Sequence, residues 1–147
     1  MKVSIRQVTD RADEQVIIEC VEVTKDIEDI RAYASAKGTT LSGVCNERIC
    51  QFMLEDVFYF EAVDELVFAY TKTNIYEMKN RLYELENAHS DKHFLRCSKS
   101  FIINLMLLDS ISPALNGRFM AHMKNGENII ISRQYAPALK SAVTGGK

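Results

Sequence analysis

The fold class is decided by the stretch SISPALNGRFMAHMKNGENIII, residues 110–131. Two Asn-Gly pairs, Asn116-Gly117 and Asn125-Gly126, divide this stretch into three largely apolar segments. Asn-Gly readily takes the positive φ angles that a type I′ hairpin turn requires. The stretch therefore predicts a three-strand antiparallel meander, in which alternate side chains from Phe119 to Met123 share one face.

Short strand-like segments also fill the middle of the chain. Val57–Phe60 and Leu66–Tyr70 are rich in aromatic and branched side chains, which favour strands over exposed helices. We predict successive strands in this part of the chain at residues 39–44, 47–54, 57–62 and 65–71. A strand is also predicted for the apolar segment that begins at Phe94, so the middle and the end of the chain are mainly β.

Helical periodicity is confined to short segments. We predict a helix over residues 25–37, with Thr24 as its N-cap and Gly38 as its stop. A second helix is predicted over residues 77–88, and a third follows Ser132 near the end of the chain. Strand clusters with only short helices predict an α+β fold that is mainly β, and they exclude a doubly wound α/β fold.

The first 45 residues are predicted to form a separate strand–strand–helix segment. Residues 3–8 and 15–23 are rich in β-favouring side chains, and the polar residues 10–13 between them suit a turn. This division gives an N-terminal segment at 1–45 and a domain at 46–147. We expect the segment either to pack on the domain or to pair with a second copy of the chain.

Composition and charge indicate a globular protein with one basic end. The 147 residues are 47% hydrophobic and 26% charged. No apolar run approaches the roughly 20 residues that span a bilayer, and early charges exclude a signal peptide, so we expect a cytoplasmic protein. Residues 1–90 carry 10 Lys/Arg against 17 Asp/Glu, whereas residues 91–147 carry 8 against 3. A net charge of +5 in the second part suits contact with a polyanion, although surface solubility would also explain it.

No catalytic or metal-binding constellation is convincing. Ser98 or Ser100 with His93 and Asp91 supplies the residue types of a triad, but no nucleophile elbow accompanies them. A metal site on one helix face would need His89, His93 and Cys97, and the strand predicted at Phe94 breaks that geometry. We expect four reduced cysteines, no cofactor, no metal and no enzyme activity.

The segment from Arg96 to Ser100 is a more informative basic patch. It places a lysine charge and two serine hydroxyls directly before an apolar strand. Such side chains suit phosphates and the edges of bases, although a solvated loop would have the same composition.

Three motifs in one order resemble the LytTR DNA-binding domain. They are DVFYFEA at 56–62, FLRCSKSFIIN at 94–104, and Asn125-Gly126 followed by IISRQY at 130–135. The resemblance covers about residues 46–143. It implies a stack of small antiparallel β-sheets that reads the major grooves of DNA from loops, without a recognition helix.

The resemblance also implies which residues contact DNA. One contact loop matches residues 96–100, another matches Ser132-Arg133-Gln134, and a third lies around residues 63–65. The DNA-binding candidates are Arg96, Ser98, Lys99, Ser100, Arg133 and Gln134, with Asp64 and Glu65 as secondary candidates. Lys72 and Lys124 are added as secondary candidates for their charge alone, which would neutralise phosphates. The family commonly has His-Arg where this chain has Ser98-Lys99, and lysine lacks the two-pronged fork of arginine. The matching residues Phe60, Phe101, Ile103 and Asn104 are interpreted as structural.

The function implied by the resemblance is transcription regulation by a homodimer on repeated DNA sites. The N-terminal segment is too short for the receiver domain found in many related response regulators. The chain is similar to a subgroup of stand-alone LytTR regulators, often encoded beside a small membrane protein, which is therefore an expected partner. The alternative is a protein-interaction module with the same fold but little DNA affinity, which the acidic first part of the chain and the pair Asp64-Glu65 favour.

Overall fold

A computed structural model describes residues 1–145, which form ten strands and three α-helices. The strands are β1 Thr40–Cys45, β2 Arg48–Met53, β3 Tyr59–Val63, β4 Leu66–Tyr70, β5 Ile75–Met78, β6 Phe94–Arg96, β7 Phe101–Asn104, β8 Leu108–Pro113, β9 Phe119–Met123 and β10 Asn128–Ile131. The helices are α1 Lys25–Ala36, α2 Leu82–His89 and α3 Ala136–Thr144. The predicted class, mainly β within α+β, is confirmed.

The strands form two antiparallel sheets that pack against each other. The larger sheet has the order β2-β1-β5-β4-β3-β7-β6, and the smaller has the order β10-β9-β8. Side chains alternate across β3, so Tyr59 points to one face of the larger sheet and Phe60 to the other. The Tyr59 face packs on the smaller sheet and α3, through a cluster that includes Cys97, Ile103, Ala121, Met123, Ile129, Ile131 and Leu139.

The opposite face of the larger sheet forms a second core with α2. Phe60 is fully buried there, and its ring centroid lies 5.7 Å from that of Phe94. Helix α2 contributes Leu82 and Leu85 to the same cluster. The larger sheet is therefore covered on both sides over its β3–β7 part, and this fixes the loops at the ends of those strands.

The predicted C-terminal meander is confirmed. β9 pairs antiparallel with both β8 and β10. In the first connection Asn116 and Gly117 have φ angles of 61° and 77°, and in the second Gly126 has a φ angle of 89°. The helix predicted after Ser132 is confirmed as well, and it begins at Ala136.

The hairpin of β1 and β2 spans the division predicted between residues 45 and 46. Its two-residue turn, Asn46-Glu47, has φ angles of 53° and 63°, the left-handed conformation of a type I′ turn. The division into two domains stays a prediction. Residues 146 and 147 of the predicted second domain lie outside the described residues.

The two strands predicted at residues 3–8 and 15–23 are wrong. Apart from a short 3₁₀ turn at Arg11–Asp13, residues 1–23 have no regular secondary structure. β-propensity expresses how well a side chain fits a half-buried pleated surface, and this segment has no such surface within residues 1–145. The helix that follows is confirmed, since Thr24 Oγ accepts a hydrogen bond from the Ile27 N–H at 3.4 Å.

The second helix is shorter than predicted, because its first residues belong to β5. Exposure alternates along Ile75–Met78, as expected for a strand. The helix begins at Leu82. Its start is capped by the Glu84 carboxylate, which accepts a hydrogen bond from the Arg81 N–H at 2.9 Å. Met78 and Leu82 are both buried and lie four residues apart, which is a helical spacing. The apolar pattern therefore did not reveal that β5 ends at Met78 and that the helix begins at Leu82.

The longest helix within residues 1–145 has 12 residues. None of the helices in this part of the chain combines the length and apolar character that a membrane crossing needs.

Candidate nucleic-acid interface

The β6–β7 loop, residues 97–100, is held in shape by Arg96. The guanidinium donates from Nε to the Ser98 carbonyl at 2.7 Å and from Nη2 to the Lys99 carbonyl at 2.8 Å. Its Nη1 forms an ion pair with the Glu86 carboxylate at 3.0 Å. The Arg96 side chain is only 17% exposed. Arg96 is therefore turned toward its own loop, and it stabilises two carbonyl groups there.

Ser98 also stabilises the conformation of this loop. Its hydroxyl oxygen accepts hydrogen bonds from the N–H groups of Ser100 and Phe101, both at 3.1 Å. The Ser100 carbonyl accepts from the Ala62 N–H at 2.8 Å, which fixes the loop to the end of β3. Lys99 is exposed, and its ammonium group has no hydrogen bond or ion pair within residues 1–145. The loop thus presents Lys99 to solvent.

Cys97 connects this loop to the segment between β10 and α3, residues 132–135. The Cys97 carbonyl accepts a hydrogen bond from the Ser132 N–H at 2.9 Å. The thiol is fully buried, and burial raises its pKa to about 12 despite an opposing effect of the nearby Arg96 charge. Cys97 is therefore a protonated structural residue that joins two candidate contact loops.

A cleft of about 600 Å³ lies where three loops meet. Its walls come from the β6–β7 loop, the β8–β9 connection and the segment after β10, through Lys99, Asn116, Arg118, Ser132, Arg133, Gln134 and Tyr135. Three of these side chains are cationic and none is acidic. Lys99, Arg118, Arg133 and Gln134 are exposed, so an anion in solution can approach them directly.

Gly117 lets Arg133 lie over the β8–β9 connection. A Cβ atom added to Gly117 would be 3.2 Å from both Cγ and Cδ of Arg133, and the positive φ of 77° also disfavours other residues. The sequence predicted the turn at Asn116-Gly117 but not its part in the cleft. Asn116 and Arg118 were missed as site residues, and the basic residue directly after the turn was the available signal.

The turn between β3 and β4 lies beside the cleft but does not line it. Asp64 and Glu65 form this turn with φ angles of 48° and 69°, and both are exposed. Because Ala62 is bonded to Ser100, the turn projects from the same edge of the larger sheet as the β6–β7 loop. The structure thus brings the third predicted loop to the same end of the strands as the β6–β7 loop, and this loop carries two acidic side chains.

The structure does not bring Lys72 or Lys124 to the cleft. Lys72 follows the Tyr70 end of β4, whereas the turn near Ser100 is at the Leu66 end. Lys124 follows β9, whereas Arg118 precedes it. Each lysine is separated from the cleft edge by a five-residue strand, about 16 Å at 3.3 Å per residue.

The residues considered for a catalytic triad make separate contacts in the structure. His93 Nε2 lies 3.4 Å from Asp29 of α1, and burial lowers the pKa of this imidazole. The Ser98 hydroxyl accepts from the backbone, as described above. Over residues 1–145, no group of three or more His, Cys, Asp or Glu side chains is arranged to hold a metal ion.

Comparisons with known proteins point to one family. A family model described as the LytTr DNA-binding domain matches residues 47–144. A Staphylococcus aureus protein described as an HTH-type transcriptional regulator is 31% identical over 108 residues, covering 74% of this chain and 73% of the relative. The transcriptional regulatory protein YpdB of Escherichia coli is 30% identical over 94 residues, covering 64% of this chain but only 38% of YpdB.

A solved structure supports the same relationship. It is a LytTr DNA-binding domain from Bacillus cereus, with a TM-score of 0.68 and 25% identity, covering 71% of this chain and 96% of that domain. Strands separate α1, α2 and α3 from one another along residues 25–144, so this part of the chain contains no helix-turn-helix, despite the description of the Staphylococcus relative.

Proposed function

The chain belongs to the LytTR DNA-binding domain family, and we propose that it regulates transcription by reading specific DNA sequences through the cleft. The family is a DNA-binding family and not an enzyme family. One observation carries the proposal: Lys99, Arg118 and Arg133 come from three separate loops to one cleft, whose lining has no acidic side chain. Phosphate groups are the anions that such a surface suits.

Each cleft residue has a role that follows from its chemistry. Lys99 supplies a point charge for a phosphate or a guanine edge, and Arg118 and Arg133 supply forked donors that match phosphate or guanine bidentately. Gln134 has the donor and acceptor pair that reads adenine. Arg96, Ser98 and Ser100 act as positioning residues of the loop.

We further propose that two copies bind repeated half-sites. A dimer that reads one face of a duplex needs its two clefts about one helical turn apart, which corresponds to roughly 10–10.5 base pairs between half-sites. A small membrane protein encoded nearby stays a predicted partner, on the strength of the resemblance alone. Retention of that detergent-solubilised protein on the immobilised chain would support the prediction, and its absence would contradict it.

Selection from a random DNA pool, followed by titration at several salt concentrations, tests the function. We expect one enriched repeated sequence. Three phosphate contacts per copy would give a slope of log affinity against log salt of about −2.7 for each bound copy, since each contact contributes about −0.9. Lys99→Ala is expected to reduce that slope by about 0.9 per copy if Lys99 meets a phosphate, whereas the displaced Lys72→Ala leaves it unchanged. No enriched sequence and a slope near zero would favour the protein-interaction module.

Arg96→Ala is expected to weaken DNA binding by about 1–2 kcal/mol through loss of the loop conformation, because two carbonyl groups lose a charged donor. Fluorescence anisotropy with the selected DNA measures the change in affinity. The salt slope should stay near that of the wild type, which distinguishes a positioning residue from a phosphate contact. A slope that falls with the affinity would identify Arg96 as a direct contact instead.

A further inference from the structure

Residues 15–23 have the composition of a strand but no strand to pair with. Within residues 1–145 none of them takes part in a backbone hydrogen bond, and the last bond before them joins the Glu14 N–H to the Arg11 carbonyl. Val16 and Ile17 are each 69% exposed, and Val21 is fully exposed. Unpaired backbone groups beside branched apolar side chains are the features of a segment that adds to another strand.

The chain itself covers this segment only in part. Residues 4–9 border an open hollow together with Ile17 and Glu19, but Ile17 remains 69% exposed. A shallow pocket on α1 is bordered by Glu14, Gln15, Val16 and Ile18, together with Arg31, Ala34 and Ser35. Only Ile18 is half-buried by this contact, and the residues after it stay exposed. The segment then runs directly into Thr24, the N-cap of α1.

We propose that residues 17–23 are a dimerisation strand, which pairs antiparallel with the same residues of a second copy about a two-fold axis at Cys20. The segment 14–23 carries three acidic residues and no basic one, so a pairing register must keep the acids apart. An axis at Glu19 opposes that residue to itself, and an axis at Ile18 opposes Glu14 to Glu22. An axis at Cys20 opposes both acids of residues 17–23 to apolar side chains, because Glu19 then faces Val21 and Glu22 faces Ile18.

This register also makes the segment complementary to itself. Ile17 of each copy faces Val23 of the other on one side of the two-stranded ribbon, so these two exposed apolar side chains are buried against each other. An isologous contact of this kind is what two-fold symmetry requires, and no other protein is needed to complete it. The second copy is therefore the occupant that the segment suits.

The paired strands would be connected firmly to the two DNA-binding domains. Helix α1, which begins one residue after Thr24, is fixed to the domain by a hydrogen bond from Arg31 Nη2 to the Asp91 carbonyl at 3.0 Å. His93 and Asp29 make a second contact between the same elements. The strand pairing would thereby set the distance between the two clefts, and only this consequence rests on the proposed function.

Sedimentation of charge variants tests the strand and its register. Val21→Glu places an acid opposite Glu19 of the other copy, and the two-fold symmetry repeats this repulsion. We expect the variant to weaken dimerisation at least roughly tenfold. Adding Glu19→Lys converts both repulsive pairs into attractive ones, so the double variant E19K/V21E should recover the dimer. Val3→Glu makes the same substitution at an exposed position outside the segment and should leave the dimer unchanged. None of these residues is buried, so thermal unfolding of all variants should match the wild type.

Cross-linking and DNA binding provide independent readouts. Cys20 is an exposed cysteine, and a short bis-maleimide should join two wild-type chains but not Cys20→Ser chains. A monomeric wild type, a dimeric Val21→Glu variant or a failed rescue would each overturn the proposal. Affinity for a single half-site should be the same in all variants. Loss of half-site binding in every protein, with the dimer intact, would count against the proposed function and not against the strand.

Discussion

Replacing Lys99 and Arg133 together with alanine is expected to lower affinity for the selected DNA by about 2–5 kcal/mol. The two side chains come from two different loops that line the same cleft, and removing both takes away two of its three cations. Neither side chain is buried, so the protein should fold as before. Fluorescence anisotropy at a fixed salt concentration measures the loss.

The matched control is Lys72→Ala with Lys124→Ala. This pair removes the same net charge from exposed positions that lie a strand length away from the cleft. We expect its affinity to change by less than about 0.5 kcal/mol at moderate salt, because exposed charges beyond a Debye length are screened. Equal losses in the two double variants would mean that net charge, and not the cleft, determines binding.

Phe60→Ala is expected to lower the free energy of unfolding by about 3–5 kcal/mol, since a fully buried aromatic ring leaves a cavity that its neighbours fill only in part. Phe60 lies on β3 in the core beneath α2 and touches the ring of Phe94. Urea denaturation followed by circular dichroism measures the change.

Ile49→Ala is the comparison for that variant. Ile49 lies on β2 and is 76% exposed, so its truncation should change the free energy of unfolding by at most about 0.5 kcal/mol. A Phe60→Ala variant as stable as Ile49→Ala would contradict the assignment of Phe60 to the core. Retained DNA binding by a destabilised Phe60→Ala protein at low temperature would still be consistent with its structural role.

The sequence predicted the parts of the fold that local chemistry determines. The Asn-Gly turns fixed the meander, since few residue pairs tolerate the positive φ angles found at Asn116 and Gly117. The strands predicted at 3–8 and 15–23 failed because strand formation depends on a partner, which no local pattern specifies. Strand β5 was missed because its buried Met78 also fits the helical spacing of Leu82.

Prediction of the site depended on different information. The resemblance supplied Lys99, Arg133 and Gln134, and the structure brings these three side chains to one cleft. The resemblance could not indicate that Arg96 faces its own loop, because the direction of a side chain depends on the conformation of the closed loop. Arg118 was missed because its position beside Arg133 follows from the packing of the meander, and Lys72 was chosen on charge alone.

The hydrogen bond from the Ser132 N–H to the Cys97 carbonyl has a consequence for how target preference can evolve. It joins two main-chain groups, so substitution of the neighbouring side chains leaves the frame that carries Lys99 and Gln134 in place. New preferences for bases can then arise one exposed residue at a time, without a compensating change in the scaffold.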